Sequence, residues 1–236
     1  MIAIKNLKKD FGNQTVLNDM DVTIPAGQAT GIVGPNGSGK TTTIKTLLGL
    51  VKPTSGEILV NDKSIKGEWD YRRKIGYMPQ IARYPENMTI GELFNFIKKM
   101  RNSTTNRDKE LLEYFDLEKE IDKRMRELSG GMRQKVGAIL AMMFDPEILI
   151  FDEPTAGLDP KSSVQFKKLV HQEKEKGKTV LLTSHIMSEI EELTDHLIFV
   201  VEGNIRYDGP MHELIESKKE QRLEGAVAKM MEETAA

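Results

Sequence analysis

Apolar residues set the outline of this chain. Ile2, Ile4 and Leu7 open it at near-alternate positions, and Val16-Leu17 and Val22-Thr23-Ile24 suggest two more strands, with Pro25-Ala26-Gly27 as a turn. Ala29 to Val33 reads as a short buried strand. From Thr41 to Leu50 the period changes, with Ile44, Leu47 and Leu48 at helical spacing. Short strands follow at Glu57 to Val60 and Lys74 to Met78, the second ended by Pro79-Gln80. From Asn87 to Met143 the pattern is helical throughout. Thr89 and Glu92 form a capping box, Ile90, Leu93, Phe94 and Ile97 fall on one face, and Lys109 to Phe115 makes a second helix. Strands then alternate with helices: Ile148 to Phe151, a helix marked by Phe166, Leu169 and Val170, Thr179 to Thr183, and Ile186 to Leu193. Strands at His196 to Val201 and Asn204 to Tyr207 close this region. Pro210 starts a terminal helix, and the charged tail from Ser217 is expected to be helical but loosely held. The whole reads as an α/β core, residues 1–210, carrying an inserted helical subdomain at about 87–143, then a short tail, 211–236.

Between the buried strand at Val33 and the helix at Thr41 lies Gly34-Pro35-Asn36-Gly37-Ser38-Gly39-Lys40-Thr41, followed by Thr42. Two glycines five apart, then lysine and a hydroxyl residue, fit the phosphate-loop pattern in its required strand-loop-helix setting. Glycines let the backbone wrap an anion, successive N–H groups point inward, and the helix start adds partial positive charge. Lys40 is then expected to reach the β- and γ-phosphates of a nucleotide, and Thr41 to hold Mg²⁺. The second acidic element is Asp152-Glu153, at the end of four apolar residues. In open α/β sheets ligands sit at the carboxyl ends of strands, so this pair is expected to face the phosphate loop. Asp152 suits Mg²⁺, directly or through water, and Glu153 suits a base taking a proton from attacking water. Phe11, beside Gly12 in a turn, could stack on a base, although its position alone favours a half-buried turn aromatic.

Composition narrows the field without adding chemistry. Lys plus Arg number 34 against 36 Asp plus Glu, a balance that gives no support to nucleic-acid binding. The absence of cysteine rules out disulfides and thiolate metal sites. The opening residues show no secretory signal, and the longest apolar runs fall far short of the ~18 residues that cross a bilayer, so a cytosolic protein is expected.

One more stretch, Leu128-Ser129-Gly130-Gly131-Met132-Arg133-Gln134, resembles the signature motif of ATP-binding cassette (ABC) ATPases, and it precedes the Asp-Glu strand as it does in that family. Gln80 resembles the family's Q-loop glutamine, Ala156-Gly157-Leu158-Asp159 its D-loop, and His185 its switch histidine. Phe11 matches the aromatic that stacks on adenine, where tyrosine is commoner. The resemblance covers about residues 1–210, with every motif in order. It implies a P-loop NTPase fold: a RecA-like core, an antiparallel β-subdomain and the helical subdomain. It further implies an ATPase with ATP and Mg²⁺ as ligands, acting as a head-to-tail homodimer with ATP sandwiched at each interface. Ser129, Gly130, Gly131 and Gln134 of one copy would meet the nucleotide on the other copy's loop, Asp159 would report across the dimer, His185 would bond the γ-phosphate, and Gln80 would sense Mg²⁺.

Within the family three classes are open: a transporter's ATPase subunit, a soluble protein acting on ribosomes, and a DNA-repair ATPase. Ribosomal members usually carry two cassettes, and DNA-repair members place a long coiled coil where this chain has no sustained heptads. The transporter class fits, with an integral-membrane permease on a separate chain and the ATPase peripheral on the cytoplasmic face of the inner membrane. The run Leu47 to Gly56 resembles the ABC-2 group, mostly exporters of drugs, lipids or polysaccharide. Met78 to Thr89 resembles the ATPase for copper-site maturation of nitrous oxide reductase, which implies a periplasmic copper-delivery protein as a further partner. The paired methionines Met142-Met143 and Met230-Met231 read as core and tail residues, since neighbours on a helix point apart.

Overall fold

The alternating residues at the start of the chain close into an antiparallel sheet. In the computed structural model, which describes residues 1–235, β1 (Ile2–Phe11) pairs with β2 (Gln14–Ile24) on one side. On the other side it pairs with β4 (Ser55–Val60), and β5 (Lys63–Ser64) forms the far edge. The two strands expected near Val16 and Val22 are one. Asp19 takes a left-handed backbone, φ 47°, and the register against β1 shifts at several points. Such bulges let one strand run on while its buried positions reset from Leu17 to Met20, Val22 and Ile24.

The nearly continuous apolar runs make a second sheet. It comprises β3 (Ala29–Val33), β6 (Ile75–Met78), β7 (Ile148–Asp152), β8 (Thr179–Thr183), β9 (His196–Val201) and β10 (Asn204–Pro210). Their order is β10-β9-β3-β8-β7-β6, parallel except for the antiparallel edge strand β10. Every residue of β3, β7 and β8 is buried, as expected for parallel strands covered on both faces. Successive side chains sort to opposite faces. Ile148 and Ile150 join Ile44 and Leu47 of α1 (Lys40–Leu47) and the antiparallel sheet in one cluster. Leu149 and Phe151 join the helices on the opposite face.

Those helices include α2 (Ile90–Arg101), α3 (Arg107–Tyr114), α4 (Gly130–Met142), α5 (Pro160–Glu175) and α6 (Met187–Leu193). The Thr89/Glu92 capping box is present at the start of α2. The stretch from Asn87 to Met143 is not helical throughout. Between α3 and α4 there are two single 3₁₀ turns, Glu118–Glu120 and Met125–Glu127, and Arg124 bridges back to Thr89. Asp116, left-handed at φ 56°, ends the α3 region, and the Met125 N–H donates to the Met88 carbonyl, so this segment is held by backbone bonds to a neighbour rather than its own helix. Helix α4 packs on β6 and β7.

Residues past 210 form α7 (Met211–Ser217) and α8 (Leu223–Ala235). The expectation of a loose tail is overturned. Leu223, Ala226, Val227 and Met230 fall at helical spacing, are buried in the same cluster as α6, and α8 packs on α6 and α7. The backbone N–H of Leu223 also donates to Glu191 of α6 at 3.1 Å. The charges that suggested solvent lie on the other face. Met142 and Met143 are both fully buried, whereas Met230 is buried and Met231 exposed, so only the second pair is split between core and surface. Among the described residues no helix is long and apolar enough to cross a membrane.

A buried ion cluster ties the helical insertion to the core. Glu173 of α5 is fully buried and accepts from Arg107 of α3 at 2.5 Å, from Lys176 at 2.8 Å, and from Lys178. Burial alone would raise its pKa, but these donors outweigh it and hold the carboxyl down at about 2. Arg107 also donates to the Met142 carbonyl at the end of α4, at 3.2 Å.

Candidate active site

The phosphate loop leaves the carboxyl end of β3, in the middle of the parallel sheet, and feeds α1. Its backbone is one that only glycine tolerates at two points. Gly39, the residue before α1, has φ 108°, and a Cβ there would lie 2.7 Å from Leu17. At Gly34, φ 153°, a Cβ would lie 2.0 Å from the Val200 carbonyl oxygen. Lys40 folds back over this loop and donates to the Gly34 and Pro35 carbonyls at 2.6 and 2.9 Å. Burial lowers its pKa, with Glu153 and then Asp152 pulling the other way. Ser38 Oγ is buried with no hydrogen-bond partner.

Strand β7 brings Asp152 and Glu153 to the same end of the sheet, with β8 between it and β3. Asp152 is buried and accepts from Thr183 Oγ1 at 2.7 Å. Glu153 has a left-handed backbone, φ 51°, fixed by its N–H donating to the Thr183 carbonyl and hydroxyl, both at 3.1 Å. That turn separates the two acids: one stays in the sheet, the other faces the loop. On the Glu153 carboxylate two further expected residues converge, Gln80 donating to Oε2 at 3.1 Å and His185 Nε2 lying 2.5 Å from Oε1.

The groove these groups share holds about 310 Å³ and is lined by Asn36 to Thr42 together with Gln80, Glu153 and His185. Gln14 and Val16 complete its wall; the sequence reading missed both, because only the pairing of β2 with β1 brings them there. Phe11 is not among the lining residues. It pairs with Gln14 across the hairpin, is half exposed, and has the Lys9 ammonium 4.6 Å from its ring centroid. Thr183 was also missed, being one more hydroxyl in a strand. Larger cavities, about 580 and 480 Å³, lie along the β4–β5 edge away from all these groups, so chemistry rather than size marks the site.

The remaining expected residues form a separate surface of the same chain. Ser129 caps α4, its hydroxyl accepting from the Met132 N–H at 3.2 Å. Gly130 and Gly131 follow at the helix start, Gly131 with room for little: a Cβ would lie 3.0 Å from the Gly157 carbonyl. Gln134 donates to the Ala156 carbonyl at 3.1 Å, which fixes α4 to the turn leading to Asp159. Asp159 caps α5 and accepts from Ser162 N and Oγ at 3.0 and 2.5 Å, bonds that hold its carboxyl below the usual range. None of these five lines the phosphate-loop groove.

Comparison with known proteins places this arrangement. The family model described as ABC transporter matches residues 17–156. The chain is 36% identical over 225 residues to the Nod factor export ATP-binding protein I of Burkholderia lata, covering 92% of this chain and 73% of that one. It is 37% identical over 216 residues to the lantibiotic transport ATP-binding protein SrtF of Streptococcus pyogenes, covering 89% and 92%. Among solved structures it resembles the dimeric post-hydrolysis state of the ATP-binding cassette MJ0796 bound to ADP and Pi. That match has a TM-score of 0.80 and 28% identity, over 89% of this chain and 98% of that one. Its two sheets and phosphate loop are those of a P-loop NTPase, and with relatives this similar along nearly its whole length the chain belongs to the ABC transporter family as an ATP-binding, ATP-hydrolysing subunit.

Proposed function

We propose that the chain is the ATPase of an exporter, working as a head-to-tail homodimer on the cytoplasmic face of a membrane with a permease carried by a separate chain. The observation that carries the site assignment is the convergence of Gln80 and His185 on the Glu153 carboxylate at the mouth of the phosphate-loop groove. Glu153 is the base that takes the proton of the attacking water, and His185 bonds the γ-phosphate. Lys40 bonds the β- and γ-phosphates once it gives up the Gly34 and Pro35 carbonyls.

The donors near the loop fit Mg²⁺. Thr41, Asp152 and the Gln80 amide offer only oxygen, the ligand that hard cation takes. The partnerless hydroxyl of Ser38 marks a cradle with unused hydrogen-bonding capacity. Among the described residues no three His, Asp or Glu could hold a metal together, so the ion would need the nucleotide's oxygens as well. Bound there, it would neutralise developing phosphate charge.

The separation of Ser129, Gly130, Gly131 and Gln134 from the groove supports a composite site. In the homodimer one copy's α4 start would cover the nucleotide on the other copy, its backbone N–H groups and helix dipole facing the γ-phosphate. Phe11 would stack on the adenine from the rim, and Asp159, on the turn that Gln134 grips, would read the state of the facing site.

The cargo reading follows the relatives, which are named for export of Nod factor and for lantibiotic and bacitracin transport. The cargo of this chain is proposed to be an exported compound of that kind. None of these three names refers to copper-site maturation, so neither that role nor a periplasmic copper-delivery partner is carried forward. The test of the site is Glu153→Gln. It should bind ATP as the wild type does, hydrolyse none, and accumulate as a dimer with MgATP in size-exclusion chromatography; turnover at the wild-type rate would show the base to be another group.

A further inference from the structure

We propose that Glu189 is a positioning residue for ATP hydrolysis: it holds the turn that starts at Glu153 and the loop that carries His185 in one fixed arrangement. Glu189 lies in the first turn of α6, yet it is only 8% exposed. Its Oε2 accepts from Thr155 Oγ1 at 2.7 Å and from Ser184 Oγ at 3.0 Å.

The two hydroxyls come from the two loops that matter. Thr155 sits in the turn leaving Glu153, where the Ala156 N–H donates to the Glu153 carbonyl and the Leu158 N–H to the Thr155 carbonyl. Ser184 immediately precedes His185, and its Oγ also accepts from the Ile186 N–H at 3.0 Å, so it clamps the backbone on both sides of the histidine. One carboxylate oxygen therefore joins the backbone of the base to the backbone of the histidine, behind the 2.5 Å contact their side chains make. An acid serving only the start of α6 would sit at the surface near free N–H groups. This one is buried and spends its acceptor on two loops, which is a costly placement unless both bonds are kept.

The inference rests on the roles proposed for Glu153 and His185, and the test separates the two. Steady-state ATP hydrolysis by the full chain is compared for wild type, Glu189→Ala, Glu189→Gln, His185→Ala and Glu153→Gln. ATP binding to each protein, measured by calorimetry, counts folded sites. The glutamine amide oxygen can accept both hydroxyls; alanine cannot. Glu189→Ala should lower kcat about 10- to 100-fold, the scale of a small misplacement caused from a distance, with KM for MgATP within about twofold. Glu189→Gln should recover most of that loss. In a His185→Ala background Glu189→Ala should cost less than it does in the wild type, because one of the two groups it positions is gone.

An unchanged kcat per folded site in Glu189→Ala, equal losses for alanine and glutamine, or a full further loss on top of His185→Ala would overturn the proposal. Where Glu189→Ala does not fold, Thr155→Val removes one of the two bonds to Glu189, Ser184→Ala removes the other together with the Ile186 N–H bond, and both carry the same expectations. Wild-type turnover by Glu153→Gln would remove the base assignment and this inference with it. Loss in Glu153→Gln beside none in Glu189→Ala removes this inference alone.

Discussion

Two glycine-rich helix starts in this molecule look alike in sequence and differ in what demands the glycine. At Gly34 and Gly39 the demand is internal. Both have positive φ, and added Cβ atoms would strike Val200 and Leu17 of the same chain. At Gly130 the backbone is an ordinary helix start and a Cβ would meet nothing within 4 Å. The fold of this chain does not ask for glycine there. In the proposed site shared between two copies, that open space is where the facing copy's nucleotide would approach.

The largest effect that would sharpen this contrast is at the first position. Gly34→Ala should lose the native loop, costing at least about 1–3 kcal/mol in backbone strain before the clash is counted, and should abolish ATP binding. A variant with wild-type Tm and ATP affinity would erase the contrast. Gly130→Ala should do the opposite on stability. Chemical denaturation should find it neutral or stabilised by up to about 1 kcal/mol, since alanine is the better helix residue. ATP binding to the single chain should stay unchanged, while turnover falls at least about tenfold because the facing copy is held away. Full turnover would place the second half of the site elsewhere.

A control for the signature helix comes from its other end, which Arg107 holds through Met142 and which Glu173 secures in turn. The Glu173 carboxyl is pulled down to about 2 from its ordinary 4.5. Its contribution is therefore complete above about pH 4.5 and is lost as pH falls toward 2, on the order of 3 kcal/mol in all. Glu173→Gln should remove that pH-dependent part from denaturation curves between pH 4.5 and 2, and leave ATP affinity at neutral pH intact. If it instead copied the Gly130→Ala loss of turnover, the latter could be ascribed to a loosened helix. The smallest effect belongs to Phe11→Ala, expected to raise KM for ATP about two- to tenfold, the value of one aromatic stack, with Phe11→Tyr near wild type.

How far the sequence reaches follows from the range of each interaction. The phosphate loop, the Thr89/Glu92 cap and the Asp152-Glu153 pair were legible because each is set by residues a few positions apart. Gln14, Val16, Thr183 and Glu189 were not. They come to the site only through strand pairing or helix packing with residues far along the chain, and their types are common everywhere. Helix α8 was misjudged for a related reason: its charges are conspicuous, while Ala226 and Val227 count as core only once α6 lies beneath them. Gln80 and His185 were placed through the family resemblance rather than by any pattern of their own.

The position of β3 between β8 and β9 also has a consequence for the chain's birth. Ala29 takes its register from Val180, about 150 residues later, and Thr30 from His196. At a synthesis rate of about 5–20 residues per second, the strand beneath the phosphate loop waits roughly 8–30 s for its neighbours. During that interval its apolar face has no sheet to join, and parallel pairing over such distances is slow even once the partners exist. The ATP site is thus completed only after β8 and β9 are made, although its lysine is made about 140 residues before them. A stalled or truncated ribosomal product would carry the whole phosphate-loop motif and still be unable to grip a nucleotide.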